Sequence, residues 1–139
     1  MNILEIASAF REIFSEKKEI IASYLYGSFL YSEFYEDIDI GLLINNRFKP
    51  NVMYEIKLAG KLENKFKDAF GIFKPMDVRV LNGKSLRFLF SLLKNSKLIY
   101  SRDDLKRIQF EAKIMKEYLD IKPHHEVYDN MRRVRYANR

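Results

Sequence analysis

Three aspartates and a Gly-Ser pair carry the chemistry that this sequence can do. Gly27-Ser28 ends the apolar stretch Ile20–Tyr26, and after an eight-residue spacer comes Asp37-Ile38-Asp39-Ile40, heading a second apolar run. The spacing predicts one strand over 20–26 and another over 37–44. Alternation along a strand sends Asp37 and Asp39 to one face and Ile38 and Ile40 to the other. Aspartate is depleted in strands, and two carboxylates on one face each disfavour ionisation of the other. A divalent cation between them removes that conflict. Mg²⁺ is commonly held by one or two carboxylates plus substrate phosphates. A tight Gly27-Ser28 turn opening a helix can offer those phosphates backbone N–H groups and a hydroxyl. A third acid, Asp77, opens a later strand. The set points to a metal-dependent site for a nucleoside triphosphate. The plainer alternative makes Asp37 and Asp77 turn residues and pairs Asp39 with a lysine.

Positioning such a site requires a sheet with helices packed on it. Ile3, Ile6, Ala7, Phe10, Ile13 and Phe14 recur at helical spacing and predict an N-terminal amphipathic helix. Pro50 opens a long helix marked by Val52, Ile56, Ala59, Leu62, Phe66 and Phe70, with Gly71 as its cap. A third strand is expected over 76–81, an apolar helix over 85–93 and an edge strand over 97–100. Ser101 and Asp104 form a capping-box pattern. Behind them Leu105, Ile108, Ala112, Met115 and Leu119 mark a last helix, stopped by Lys122-Pro123. Strands alternating with helices around one sheet give an α/β or α+β fold. The expected division is a catalytic domain over 1–121 and a basic C-terminal arm over 122–139.

Composition narrows the class. The 139 residues are 47% hydrophobic and 14% aromatic, which excludes general disorder. Without cysteine there is neither a disulfide framework nor a thiolate metal site. No apolar run approaches the roughly 20 residues that span a bilayer, and residues 1–14 lack a signal-peptide pattern. A soluble cytoplasmic protein is expected, with no membrane partner. The net charge of +6 asks for an anionic partner. Much of it lies in the arm, where Lys122, Arg132, Arg133, Arg135 and Arg139 face Glu126 and Asp129. Such a tail is solvated, docks on a protein, or binds nucleic acid. Direct nucleic-acid binding is not expected, because the aromatic residues sit at core periodicity. For the same reason Tyr24, Tyr26, Tyr31 and Tyr35 are read as packing residues. His124 and His125 lie in the arm and are not assigned to the metal.

The constellation Tyr26-Gly27-Ser28, spacer, Asp37-Ile38-Asp39-Ile40 resembles the polymerase-β-type nucleotidyltransferase superfamily. More narrowly, the chain is similar to the small minimal nucleotidyltransferase antitoxins encoded beside HEPN-domain toxins. Asp77-Val78-Arg79-Val80-Leu81-Asn82, Leu98-Ile99-Tyr100-Ser101, Phe110-Glu111 and Tyr118-Leu119-Asp120-Ile121-Lys122-Pro123 extend the likeness over nearly the whole chain. The resemblance implies a small mixed β-sheet flanked by helices. It implies that Asp37 and Asp39 hold two Mg²⁺ ions (or Mn²⁺), with Asp77 as third ligand and candidate base. Gly27 and Ser28 would bind ATP, the substrate. The implied activity is transfer of AMP to a tyrosine of a cognate HEPN ribonuclease toxin, which is silenced in a hetero-oligomer with this chain. Two other functions share the fold: a non-catalytic antitoxin that neutralises by binding, and a nucleotidyltransferase with a small-molecule or RNA acceptor. Two features depart from the antitoxin pattern. The spacer is short, and the Ala-Arg-Gly that usually follows Gly-Ser is replaced by Phe29-Leu30-Tyr31. Arg47, Lys49, Lys57 and Lys61 are the candidates to replace that arginine, though each reads more simply as surface charge.

Overall fold

Four strands form one mixed sheet in the order β3-β2-β1-β4. The computed structural model describes residues 2–32 and 37–137, and the side chains of these except 124–130 and 132–137. Helix α1 (Ile3–Glu16) begins at Asn2, whose side chain accepts the Glu5 N–H at 2.9 Å. Strand β1 (Ile20–Tyr26) leads through Gly27 into a single 3-10 turn, Ser28–Leu30. Strand β2 (Ile38–Ile44) runs antiparallel to β1. Helix α2 (Tyr54–Phe70) ends on Gly71 at φ 71°, the left-handed cap position expected for it. It is the crossover to β3 (Met76–Val80), which lies parallel to β2. Helix α3 (Leu86–Asn95) is capped by Ser85, whose hydroxyl accepts the Phe88 N–H at 3.2 Å. Strand β4 (Lys97–Ser101) closes the other edge against β1, and α4 (Asp104–Ala137) follows.

The sheet is covered on both faces. Ile38, Ile40, Leu42 and Ile44 of β2 meet Ile6, Phe10 and Phe14 of α1 and Leu58, Leu62 and Phe66 of α2. The opposite face, with Ala22, Tyr24, Leu43 and Leu81, meets Leu89 and Leu92 of α3 and Ile114 of α4. A four-strand mixed sheet between two helical layers is the α+β architecture that the alternation of elements predicted. Strand β3 is an edge strand, yet its outer N–H groups are not left bare. Glu63 of α2 accepts the Met76 N–H at 2.9 Å, and Glu55 accepts the Val80 N–H at 2.7 Å. Two side chains of α2 therefore fix the strand that carries Asp77.

Several expectations need correction. Helix α2 buries Tyr54, Leu58, Ala59, Leu62 and Phe66, whereas Val52 and Ile56 are exposed. The helix starts at Tyr54, after Pro50, and Tyr54 reaches back to donate to Glu19 at 2.9 Å, which turns that face inward. Ser101 does not cap α4, because it is paired within the sheet to Ala22. Asp103 takes that role, accepting the Lys106 N–H at 3.1 Å, while the Ser101 hydroxyl donates to Asp104 at 2.6 Å. Nor does Lys122-Pro123 end the helix, which continues through Pro123 to Ala137. Proline removes one N–H and crowds only the preceding turn. That turn is open to solvent at Leu119, 57% exposed, where water can serve the freed carbonyl. The expected arm is thus helical in its backbone, and its arginine and histidine side chains lie outside the described residues.

The largest correction concerns which side of α4 packs. Leu105, Ile108, Ala112, Met115 and Leu119 face outward. The inward face is Phe110, Glu111, Ile114 and Tyr118: Glu111 accepts the Tyr24 hydroxyl at 2.7 Å, and Tyr118 stacks on Phe90 with ring centroids 3.9 Å apart. Arg107 holds the same Glu111 carboxylate at 3.2 Å. A satisfied polar network under α4 decides its rotation, and leaves its most regular apolar stripe bare.

Candidate active site

Asp39 and Asp77 sit side by side on adjacent strands, paired in register across the parallel β2–β3 ladder. Alternation puts both on the face opposite Ile38, Ile40, Met76 and Val78, which are buried under α1 and α2. Tyr26 is the partner of Asp39 on the other side, and its ring packs edge-on against Phe88 at 6.1 Å. Asp37 precedes β2 rather than opening it: the ladder begins at Ile38, opposite Met76. Asp37 is exposed and its charge is felt at Asp39. The structure thus gathers the three acids at one end of β2 and β3.

Gly27 is positioned by the same register. It has φ 84° and ψ −166°, a region open essentially to glycine alone. A Cβ there would overlap the Asp39 Oδ2 and stand 3.0 Å from its Cγ. Only glycine lets the backbone approach the carboxylate so closely. Ser28 follows, exposed, and its carbonyl accepts the Tyr31 and Ser32 N–H groups at 3.0 and 2.9 Å. The expected helix after Gly-Ser is one 3-10 turn in the described residues; the rest of the spacer, with Tyr35, lies outside them. Beside Gly27 a cleft of about 300 Å³ is lined by Tyr26, Tyr31, Phe88 and Asn95. Tyr31 is 70% exposed, with its hydroxyl on the Asn95 carbonyl at 2.8 Å, so it lines this cleft instead of packing in the core. Tyr24, by contrast, is buried as expected.

The electrostatics are those of crowded acids. Burial, then the like charges of Asp77 and Asp37, hold the Asp39 carboxyl above its usual range, with Arg79 pulling it down. Burial also pushes the Tyr26 hydroxyl up to about 12, against the pull of Arg79. Arg79 was missed from sequence. It donates through Nε and Nη2 to Asp77 Oδ2 at 3.2 and 3.1 Å. The signal was available: in Asp77-Val78-Arg79 the first and third residues of a strand share a face. The cations expected there stand elsewhere. Lys57 and Lys61 are on α2, across the sheet, and Lys49 precedes that helix. Arg47 lines a groove of about 600 Å³ at the other end of the sheet, with Asn82, Lys106 and Lys113. That groove is larger than the cleft beside Gly27 but contains none of the three acids.

Oxygen donors without histidine or thiolate suit Mg²⁺ or Mn²⁺. Among the described residues, no three acidic or histidine side chains are drawn close enough to cage a metal by themselves. Carboxylates completed by substrate phosphates remain the fitting arrangement. No helix among the described residues is long and apolar enough to cross a membrane.

Comparison with known proteins agrees with this fold. The family described as polymerase beta, nucleotidyltransferase matches residues 9–105. No curated protein matches the chain. Among solved structures, a chain from the complex of tri-AMPylated Shewanella oneidensis HEPN toxin with MNT antitoxin superposes with a TM-score of 0.65. It shares 18% identity, over 94% of this chain and 97% of that one. A toxin–antitoxin structure with AMP-PNP gives the same score, identity and coverage. A chain of the MntA–HepT toxin–antitoxin complex gives a TM-score of 0.64 at 16% identity, over 93% of this chain and 97% of its own.

Proposed function

We propose that this chain, which belongs to the polymerase beta nucleotidyltransferase family, is an antitoxin that transfers AMP from ATP to a tyrosine of a HEPN toxin. One observation carries the reading: Asp39 and Asp77 are register partners on one sheet face, with Gly27 packed against the Asp39 carboxylate. The fold neighbours support the chemistry, since one was solved with AMP-PNP and another contains an AMPylated HEPN toxin.

Asp37, Asp39 and Asp77 would hold the divalent ions. When bound, these supply charge stabilisation for the attacking and leaving oxygens of an in-line displacement. The chain's own groups do the rest. Gly27, lacking a side chain, lets the backbone approach the triphosphate. The exposed Ser28 hydroxyl donates to its β/γ end. Asp77, near the sheet edge, accepts the proton of the acceptor hydroxyl. The tyrosine oxygen then bonds to the α-phosphorus, the bond to the β-phosphate oxygen breaks, and pyrophosphate leaves. The bare stripe of α4, at 3-4-3-4 spacing, is the docking surface for a helix of the toxin, since that spacing is a helix–helix seam.

The test is transfer of labelled AMP from ATP and Mg²⁺ to the purified HEPN toxin encoded beside this chain. The control is the Asp37→Asn/Asp39→Asn double variant. Label on a toxin tyrosine, lost in the variant, is the expected result. A toxin that stays unlabelled yet is neutralised by tight binding refutes catalysis and leaves a binding antitoxin on an enzyme fold.

A further inference from the structure

Arg79 stands two residues beyond Asp77 on β3, so both side chains leave the sheet on the face of Asp39. Its Nε and Nη2 converge on one oxygen, Asp77 Oδ2, at 3.2 and 3.1 Å. A metal held by both carboxylate oxygens would need lone pairs that Arg79 occupies, and one held by either oxygen would feel the guanidinium's positive charge. Neither obstacle is relieved by pH, because arginine stays protonated. The pair is half open to solvent, at 51% and 38% exposure, so it is screened and can part without unfolding the strand.

We infer that Arg79 is a positioning residue that competes with divalent metal for the Asp77 carboxylate. This rests on the metal-dependent reading above and adds a determinant which that reading does not contain. Arg79 is paired to Asp77, and its charge is also felt at Asp39. Loading exchanges that cation for a metal and frees the guanidinium beside the incoming polyanion.

The test is Mn²⁺ titration followed by electron paramagnetic resonance, on the nucleotide-free protein at low ionic strength. Parent, Arg79→Met, Arg79→Lys, Asp77→Asn and the Asp77→Asn/Arg79→Met double variant are compared. Arg79→Met is expected to bind Mn²⁺ about 100-fold more tightly, the effect of one unit charge about 5 Å from a divalent ion at an effective dielectric of about 50. Arg79→Lys should fall between, keeping the charge but losing the paired donors. In the Asp77→Asn background the gain should shrink to the through-space remainder. Unchanged or weaker binding in Arg79→Met overturns the inference. So does an equal gain with and without Asp77, since Arg79 would then act only as a distant field. If no variant binds Mn²⁺, either alone or with a non-hydrolysable ATP analogue, the metal site itself is wrong and the competition falls with it. Parent binding with no Arg79 effect overturns the competition alone. Thermal melts confirm folding, and Arg79→Gln replaces Arg79→Met if the latter is unfolded.

Discussion

Replacing Asp39 by asparagine should make the metal-free protein more stable while destroying its capacity to bind metal. Asp39 is partly buried and register-paired with Asp77, with Asp37 close by in sequence. Neighbouring strands lie about 4.8 Å apart. Two like unit charges about 5 Å apart cost about 0.8 kcal/mol in water's dielectric and about 3 kcal/mol at the dielectric of a surface pair. Arg79 offsets part of this, and solvent reaches the site, so the net gain from Asp39→Asn should be about 1 kcal/mol. In a protein of this size that raises the melting temperature by about 3 °C. The pH dependence has a definite sign. Since the folded value is raised, the folded state holds the Asp39 proton more tightly than the unfolded chain does. Below the ordinary carboxylate value of about 4 both states are protonated, and the substitution gains nothing. The gain grows as pH rises through the folded value and is constant above it. Melting curves at pH 7.5 and at the lowest pH that keeps the fold, with and without Mn²⁺, measure all of this. With Mn²⁺ the order reverses, because only the parent is stabilised by the ion. An Asp39→Asn protein that melts below its parent in metal-free buffer at pH 7.5 would refute the reasoning. It would show the carboxylate to be a structural anchor for the Gly27 turn.

Gly27→Ala should cost about 1–3 kcal/mol in urea denaturation for its backbone region alone, and abolish Mg²⁺-dependent ATP binding by calorimetry, since the new methyl displaces Asp39. Gly71→Ala is its control: also at positive φ but with open space around it, it should cost about 1 kcal/mol and leave ATP binding intact. Ile108→Lys with Leu119→Lys should change stability by less than about 0.5 kcal/mol each and abolish co-purification of the toxin. Ile114→Ala, on the buried face of the same helix, should instead cost about 2–4 kcal/mol.

Elements whose sequence signal is local were legible. Strand β1 has the bounds expected of it, because the apolar run over 20–26 is bracketed by Lys17-Lys18-Glu19 and the obligatory Gly27. Helix rotation was not legible where two faces are both apolar. In α2, Val52 and Ile56 fit the period as well as Tyr54 and Leu58 do, and the face that packs is the one whose Tyr54 reaches Glu19, 35 residues away, and the Phe48 ring. In α4 the choice is made by Tyr24 and Glu111, 87 residues apart. Period finding ranks stripes by hydrophobicity, so it chose the stripe made of leucine, isoleucine and methionine. The packed stripe contains a glutamate and a tyrosine, which join the core through hydrogen bonds instead of through apolarity alone.

The site shows the same division between what alternation reveals and what contact decides. Asp39 and Asp77 could be placed on one face from the two-residue period, whereas Asp37 precedes the ladder and could not. Their neighbour Arg79 obeys the same period, yet a lone arginine on an edge strand has an innocent reading as surface charge. Its meaning comes from distance, because it touches the acid whose freedom the chemistry requires. A chain lacking arginine after Gly27-Ser28 therefore does not lack a cation beside these acids; it has one on a different strand, paired to Asp77. That placement couples two quantities that would otherwise be independent: the stability of the empty acid cluster and the affinity of the loaded one. Strengthening the Arg79–Asp77 pair should raise the first and lower the second, and no substitution at Arg79 should improve both.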